Sequence, residues 1–257
     1  ALTAVYGQTT EAVTVTYHSN FAPDETYTTA DMPNNSTIKL PGYTGLGLPE
    51  NPGYTFAEWN TQADGSGTTF KSGSKVLVDT MDPGNHLYAI WAKGTGTPYE
   101  VHHYLERLEG AYLAVPDEKD NLRGETGAWT AAAAKSYDGF TPMGFAQEMI
   151  KADGSTVVKI FYTRNSYLLT YKDSLSAGVY ASQTYKYRAA VTAIAAPTKT
   201  GYTFTGWSPA VPDTMPAGAL TVYAQWRKTM PDTVVFDPNN INGKTLAAKS
   251  LTVYSGS

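Results

Sequence analysis

Gly53-Tyr54-Thr55-Phe56-Ala57-Glu58-Trp59 recurs almost intact as Gly201-Tyr202-Thr203-Phe204-Thr205-Gly206-Trp207. A second phrase follows each copy. It is Leu87-Tyr88-Ala89-Ile90-Trp91-Ala92-Lys93 in the first and Val222-Tyr223-Ala224-Gln225-Trp226-Arg227-Lys228 in the second. Upstream, Pro49 to Gly53 matches Pro197 to Gly201, and Asp79-Thr80-Met81 matches Asp213-Thr214-Met215. Self-similarity of this kind fixes architecture before any local reading does. Two copies of one small module flank a different stretch. The paired tryptophans lie 32 residues apart in the first copy and 19 in the second. One extra hairpin, roughly 61–74, accounts for the difference.

The composition agrees with strands. Of 257 residues, 42% are hydrophobic and 16% charged, which is globular rather than disordered, and 19 are tyrosine. Charged residues leave a net −4, which disfavours a nucleic-acid backbone as partner. Cysteine is absent, so disulfides, thiolate catalysis and zinc–thiolate sites are excluded together. Apolar runs stay short of a membrane-spanning helix, and no direct membrane insertion is expected.

Read in order, 1–11 holds Leu2-Thr3-Ala4-Val5-Tyr6, expected to close a preceding repeat. The first full module is 12–93. Its strands are expected at 13–17, 25–29, 36–40, 54–60, 68–70, 76–78 and 87–91, from period-2 alternation bounded by turn residues. Gly94-Thr95-Gly96-Thr97-Pro98 reads as a short linker, flexible at its glycines. The middle module, 99–165, lacks both phrases. It offers strands at 99–105, 111–115 and 156–162, a charged loop at 117–121, and a helix over Ala128–Lys135 on the strength of four consecutive alanines. The last module, 166–228, has strands at 167–171 and 185–188 before its Gly-Tyr phrase. The remainder, 229–257, reads as the start of a further repeat or a C-terminal extension. The predicted class is mainly β with little helix, an α+β arrangement of small modules in a row. Three such beads in line would have a radius of gyration of about 25 Å, against about 18 Å for one compact body.

The ordered phrases Gly-Tyr-x-Phe-x-x-Trp, Asp-Thr-Met and x-Tyr-Ala-x-Trp resemble the internalin B-repeat family, also called the Listeria–Bacteroides repeat. Tyr99 to Leu105, Gly124 to Gly127, Tyr137 to Phe140 and Ala152 to Ser155 together look like a mucin-binding-protein repeat. The resemblances imply β-grasp-like modules in a secreted or wall-anchored surface protein of a Gram-positive-type bacterium. Ala57-Glu58 departs from the more usual Thr/Ala-Gly before the tryptophan, and 26–48 is unusually long, so the first module is expected to be decorated.

Chemistry-bearing residues are few. His102 and His103 are adjacent on a strand, face opposite ways and cannot share one metal, so they read as an edge or surface pair. Asp64-Gly65-Ser66-Gly67 lacks the ladder of a calcium loop and reads as a turn. Asp117, Glu118 and Asp120 lie among Lys119 and Arg123 and read as a solvated cluster rather than a glycosidase pair. No Gly-x-Ser-x-Gly elbow or phosphate loop occurs. An intramolecular Lys–Asn isopeptide bond would need a buried lysine, asparagine and acid. The aromatics Tyr54, Phe56, Trp59, Tyr88, Trp91, Tyr202, Phe204, Trp207, Tyr223 and Trp226 read as repeat core before they read as a sugar platform. Charge is −4 in 12–93, −3 in 99–165 and +4 in 166–228. Lys172, Lys186, Arg188 and Lys199 are the candidates for an anionic-polymer surface.

The expected function is a non-enzymatic, extracellular stalk or adhesive segment, monomeric, without cofactor, catalytic residue or metal, presenting or binding a host or matrix protein or glycan. Its rivals are a specific glycan- or anionic-polymer-binding module, and accessory modules of a larger secreted enzyme.

Overall fold

The computed structural model describes residues 11–78, 85–229 and, as backbone, 232–236 and 249–253. The expected closing strand at Leu2–Tyr6 and the phrase Asp79-Thr80-Met81 lie outside them. The chain divides into two compact units. One comprises Ala1–His102, Lys119–Ala132 and Ala146–Lys159; the other comprises His103–Glu118, Ala133–Phe145 and Ile160–Ser257. Each full repeat therefore sits in its own unit, together with part of the middle segment.

In the first unit the repeat contains β1 (Ala12–Val13), β2 (Thr16–His18), β3 (Thr26–Thr28), β4 (Met32–Pro33), β5 (Ser36–Lys39), a 3-10 turn (Tyr43–Leu46), β6 (Tyr54–Asn60), β7 (Thr69–Phe70), β8 (Lys75–Val78) and β9 (His86–Lys93). Five strands form one sheet in the order β3-β2-β9-β6-β7. Its centre is a parallel pair, Tyr17 opposite Leu87, flanked by antiparallel neighbours. A two-stranded ribbon of β5 and β8 and the 3-10 turn supply Leu40, Tyr43, Val76 and Val78 to a core with Val15, Tyr17, Trp59, Leu87 and Ala89.

The middle segment supplies β10 (Thr97–Leu105), β11 (Glu118–Gly124), β12 (Phe140–Pro142) and β13 (Val157–Arg164), ordered β11-β10-β13-β12. Three expectations fail here. Glu118 to Gly124 is a strand rather than a charged loop, and 111–115 is irregular. Ala128–Lys135 is not helical. A run this short cannot offset helix nucleation alone, and its backbone groups are taken by side chains. Gln147 Oε1 accepts from Ala132 N (2.9 Å), and Gln147 Nε2 donates to Ala132 O (2.8 Å). Ala131 N donates to the Tyr99 hydroxyl and Lys135 N to that of Tyr162.

In the second unit the repeat has β14 (Ser166–Asp173), β15 (Val179–Lys186), β16 (Tyr202–Ser208) and β17 (Leu220–Lys228), ordered β15-β14-β17-β16. The central pair is again parallel, Tyr171 opposite Val222. Leu169, Tyr171, Met215 and Val222 form its core. β18 (Asp232–Phe236) and β19 (Lys249–Val253) pair antiparallel. No helix among the described residues is long and apolar enough to cross a membrane.

Both repeats share one register. Phe56 faces Trp91 and Trp59 faces Ala89, while Phe204 faces Trp226 and Trp207 faces Ala224. Each strand carries a bulge, between Phe56 and Glu58 and between Phe204 and Gly206. This explains the two unspecified positions in the phrase. Residues three apart on a regular strand face opposite ways, but one bulged residue restores the phase. The Phe56 and Trp59 rings thus meet at 4.9 Å, and Phe204 and Trp207 at 5.2 Å.

Candidate functional site

The repeat phrases place their aromatics unequally. Trp59 is fully buried, with Nε1 donating to Pro41 O at 2.9 Å. Phe56, Trp91, Tyr202, Phe204, Trp207 and Trp226 are half-buried against the two cores or beside them. Tyr54 and Tyr223 are exposed and Tyr88 half-buried, so these three are corrected out of the core. The cause is alternation. In x-Tyr-Ala-x-Trp the alanine and tryptophan are two apart and share the core face, which turns the tyrosine outward. Tyr54 lies at the open end of β6.

Under the Gly-Tyr loop each repeat has a shallow depression. In the first, Tyr43, Glu50, Asn51, Tyr54, Phe56 and Trp91 line about 310 Å³. Tyr43 donates to Pro49 O (2.6 Å), and burial, reinforced by Glu25 and Asp24, pushes its phenol up to about 12. Trp91 Nε1 is held by Ser19 O at 2.8 Å. In the second repeat the matching depression, lined by Lys199, Tyr202 and Phe204 among others, is more open. There Trp226 Nε1 donates to the Asp173 carboxylate at 2.9 Å, Lys199 pairs with the same carboxylate at 2.7 Å, and its ammonium sits 5.7 Å from the Tyr202 and Trp226 rings. Asp173 is buried and held well below the usual carboxylate range, first by Lys199, then by the Leu175 N–H, with Ser176 and Trp226 adding to them. One depression is therefore acid-edged and aromatic, the other cationic with its charge internally matched.

The four basic candidates do not converge. Lys199 serves Asp173, and Lys186 pairs with Glu106 at 2.9 Å. Arg188 stacks over Tyr187 at 5.2 Å. Lys172 is a strand neighbour of Asp173 and so projects from the opposite sheet face.

The candidates set aside in sequence are engaged in structural roles. Asp64 accepts from Ser66 N and Oγ, closing a turn. Asp117 pairs with Arg107 and caps Leu105 N, while Glu118 binds Lys135 and Tyr137. His102 binds Glu100. His103 is fully buried against the Tyr162 hydroxyl (2.8 Å), a correction to the expected surface pair, because its face of β10 is the inner one with Val101. Every described lysine is at least partly exposed.

The expected linker is not a free tether. Gly94 N donates to Gly53 O (2.8 Å), Gly94 O accepts from Thr126 N, and buried Thr97 hydrogen-bonds Thr126. Thr126 Oγ1 donates to Gly53 O at 2.6 Å. In the other unit, Arg164 Nη1 donates to Tyr187 O, and Glu106 accepts from Lys186 and Arg164 N, which hold its carboxyl below the ordinary range.

Two features escaped the sequence reading. Trp129 stands 67% exposed, bridged to the exposed Met149. His18 and His86, 68 residues apart, meet across the parallel pair β2 and β9.

The fold and site thus define a pair of mixed-sheet repeats with aromatic seams around an unlike segment. Residues 14–89 and 167–225, just over half of the chain, match the Listeria–Bacteroides repeat domain. The chain belongs to that family, whose repeats occur in extracellular bacterial surface proteins. Comparison with curated proteins finds no match.

Proposed function

We propose that this chain is a non-enzymatic, extracellular adhesive and spacer segment of a bacterial surface protein, with β-grasp-like modules arranged in an elongated row. The observation that carries the adhesive half is Trp129. A large ring left 67% exposed beside Met149, in the segment that resembles a mucin-binding-protein repeat, has the character of a binding hot spot. The spacer half is supported by hydrogen-bonded junctions on both sides of the middle segment, at Gly53–Gly94–Thr126 and at Glu106–Arg164–Lys186. The non-enzymatic reading is supported by Asp64, Asp117 and Glu118, which serve a turn and ion pairs.

The test is binding of the segment to arrays of host matrix proteins and glycans. The parent is expected to bind at least one, and Trp129→Ala to weaken that binding by tenfold or more. Binding indifferent to Trp129 removes the adhesive surface. Small-angle scattering tests the row, with a radius of gyration near 25 Å expected and one near 18 Å against it. Turnover in glycosidase, esterase or protease panels, abolished by one substitution, would refute the non-enzymatic reading. A second reading, a glycan site, is favoured by the open aromatic depression at Tyr43, Tyr54 and Trp91.

A further inference from the structure

The four histidines of this chain fall into two unrelated pairs. His102 and His103 turn away from each other. His18 and His86 do the opposite, and the repeat fold does not require them. At the same register positions the second copy has Lys172 and Thr221, opposite Tyr223 and Thr170 respectively.

His18 Nε2 and His86 Nδ1 lie 2.8 Å apart. His18 Nδ1 lies 2.8 Å from Asp24 Oδ2, and that carboxylate is itself fixed by Asn20 N (2.7 Å) and Ser19 Oγ (3.1 Å) on its other oxygen. A carboxylate at Nδ1 favours the proton there, so the Nε2 lone pair accepts from His86 Nδ1–H, and a cation bound by both nitrogens displaces that shared proton to solvent. That is the tautomer and outer-partner arrangement of metal-binding histidines. The His18 ring is pinned by stacking on Tyr88, centroids 4.4 Å apart and planes within 19°. Its side chain is only 14% exposed and His86 is partly exposed, so the pair borders solvent.

With metal–nitrogen bonds of about 2.0–2.1 Å, two ligands of a tetrahedral ion sit about 3.3–3.4 Å apart, whereas two at a right angle sit about 2.9 Å apart. The observed 2.8 Å is the length of the hydrogen bond that joins the rings without metal, and it lies nearer the right-angle span, the cis relation of square-planar or octahedral sites, than the tetrahedral one. Among the described residues no group of three or more His, Asp or Glu side chains converges as a metal site.

We propose that His18 and His86, with Asp24 as the outer hydrogen-bond partner of His18, form a two-histidine site for a divalent transition cation of copper or nickel type. The site clips the first and last strands of the repeat sheet.

The experiment is titration of the whole segment with Cu2+, followed by calorimetry and by electron paramagnetic resonance. One saturable equivalent is expected, with a spectrum showing two equatorial imidazole nitrogens. His18→Ala or His86→Ala should weaken binding at least tenfold and remove the two-nitrogen signature. Asp24→Asn should weaken it by roughly tenfold, and His102→Gln should change nothing. If a histidine variant fails to fold, amide exchange of the parent decides: Cu2+ should protect β2 and β9 relative to metal-free protein, with β14 and β17 unaffected. Absence of saturable binding, binding unchanged in both histidine variants, or protection no greater in β2 and β9 than in β14 and β17 overturns the site. Those last outcomes leave only a histidine–histidine hydrogen bond.

Discussion

Replacing Trp59 by alanine should cripple the first repeat, while the matching change in the second is milder. Trp59 is fully buried, its ring 4.9 Å from Tyr17, 4.9 Å from Phe56 and 6.0 Å from Tyr43. Truncating a buried aromatic costs about 3–5 kcal/mol. It also orphans Pro41 O, which now accepts from the indole, adding roughly 1 kcal/mol or more. A module of this size has a stability of order 4–12 kcal/mol, so the change takes much or all of it. Trp207 is only half-buried and packs on Tyr171 and Phe204. Its truncation should cost about half as much, roughly 2–3 kcal/mol. The difference comes from the β5–β8 ribbon and the 3-10 turn, which cover Trp59. Amide exchange by mass spectrometry reads the two repeats separately, through peptides from β6 and β9 and from β16 and β17. Loss of protection in β6 and β9 for Trp59→Ala, with Trp59→Phe intermediate, is expected. Protection within about 1 kcal/mol of the parent, or a larger loss for Trp207→Ala, would refute the reasoning.

The remaining expectations concern single contacts. Asp173 has a folded pKa below its unfolded value of about 3.9, so its contribution is present above that pH and is lost as pH falls below it. The second repeat should therefore weaken in acid, and Asp173→Asn should remove this component of the pH dependence, as read by urea unfolding monitored through exchange in β14 and β17. Gln147→Ala removes both bonds to Ala132 and the acceptor of Thr130 Oγ1. It should speed exchange across 130–135 by tenfold or more. Gly53→Ala places a Cβ 2.5 Å from Ala152 O at φ 74°. Strain at positive φ plus this backbone clash should cost more than about 1 kcal/mol, visible as lost protection at Gly94 and Thr126. An unchanged exchange rate in either variant contradicts the contact it removes.

What could be read in advance follows from locality. Tyr54 to Asn60 is legible to its ends because its alternation and its flanking turn residues are all local. The bulge at Ala57 is local too, and the three-residue spacing of Phe56 and Trp59 was its signal. The outward turn of Tyr88 follows from the position of Ala89, a period-2 argument that shared motif membership concealed. Ala128–Lys135 misleads because propensity describes an isolated segment, whereas Gln147, Tyr99 and Tyr162 reach it from elsewhere. The long strand Val179–Lys186 hides because its side chains are mostly exposed and show weak alternation. The meeting of His18 and His86 depends on the first and last strands of the repeat lying side by side. The first copy alone does not signal that pairing, although comparison of the two copies isolates both histidines as residues the second does without.

The parallel pairing of β2 with β9, and of β14 with β17, bears on how each repeat carries load. Adjacent parallel strands at the two ends of a repeat put its entry and exit at opposite poles of the sheet. Tension through the chain then slides these strands lengthwise past each other instead of peeling one from the next. In the second repeat the register from Leu169 and Leu220 to Asp173 and Ala224 is loaded all at once, so rupture requires several hydrogen bonds to fail together. The first repeat offers a shorter register, three residue pairs from Thr16 and His86 to His18 and Tyr88, and is the one to yield first under pull unless something fastens those two strands across their side chains.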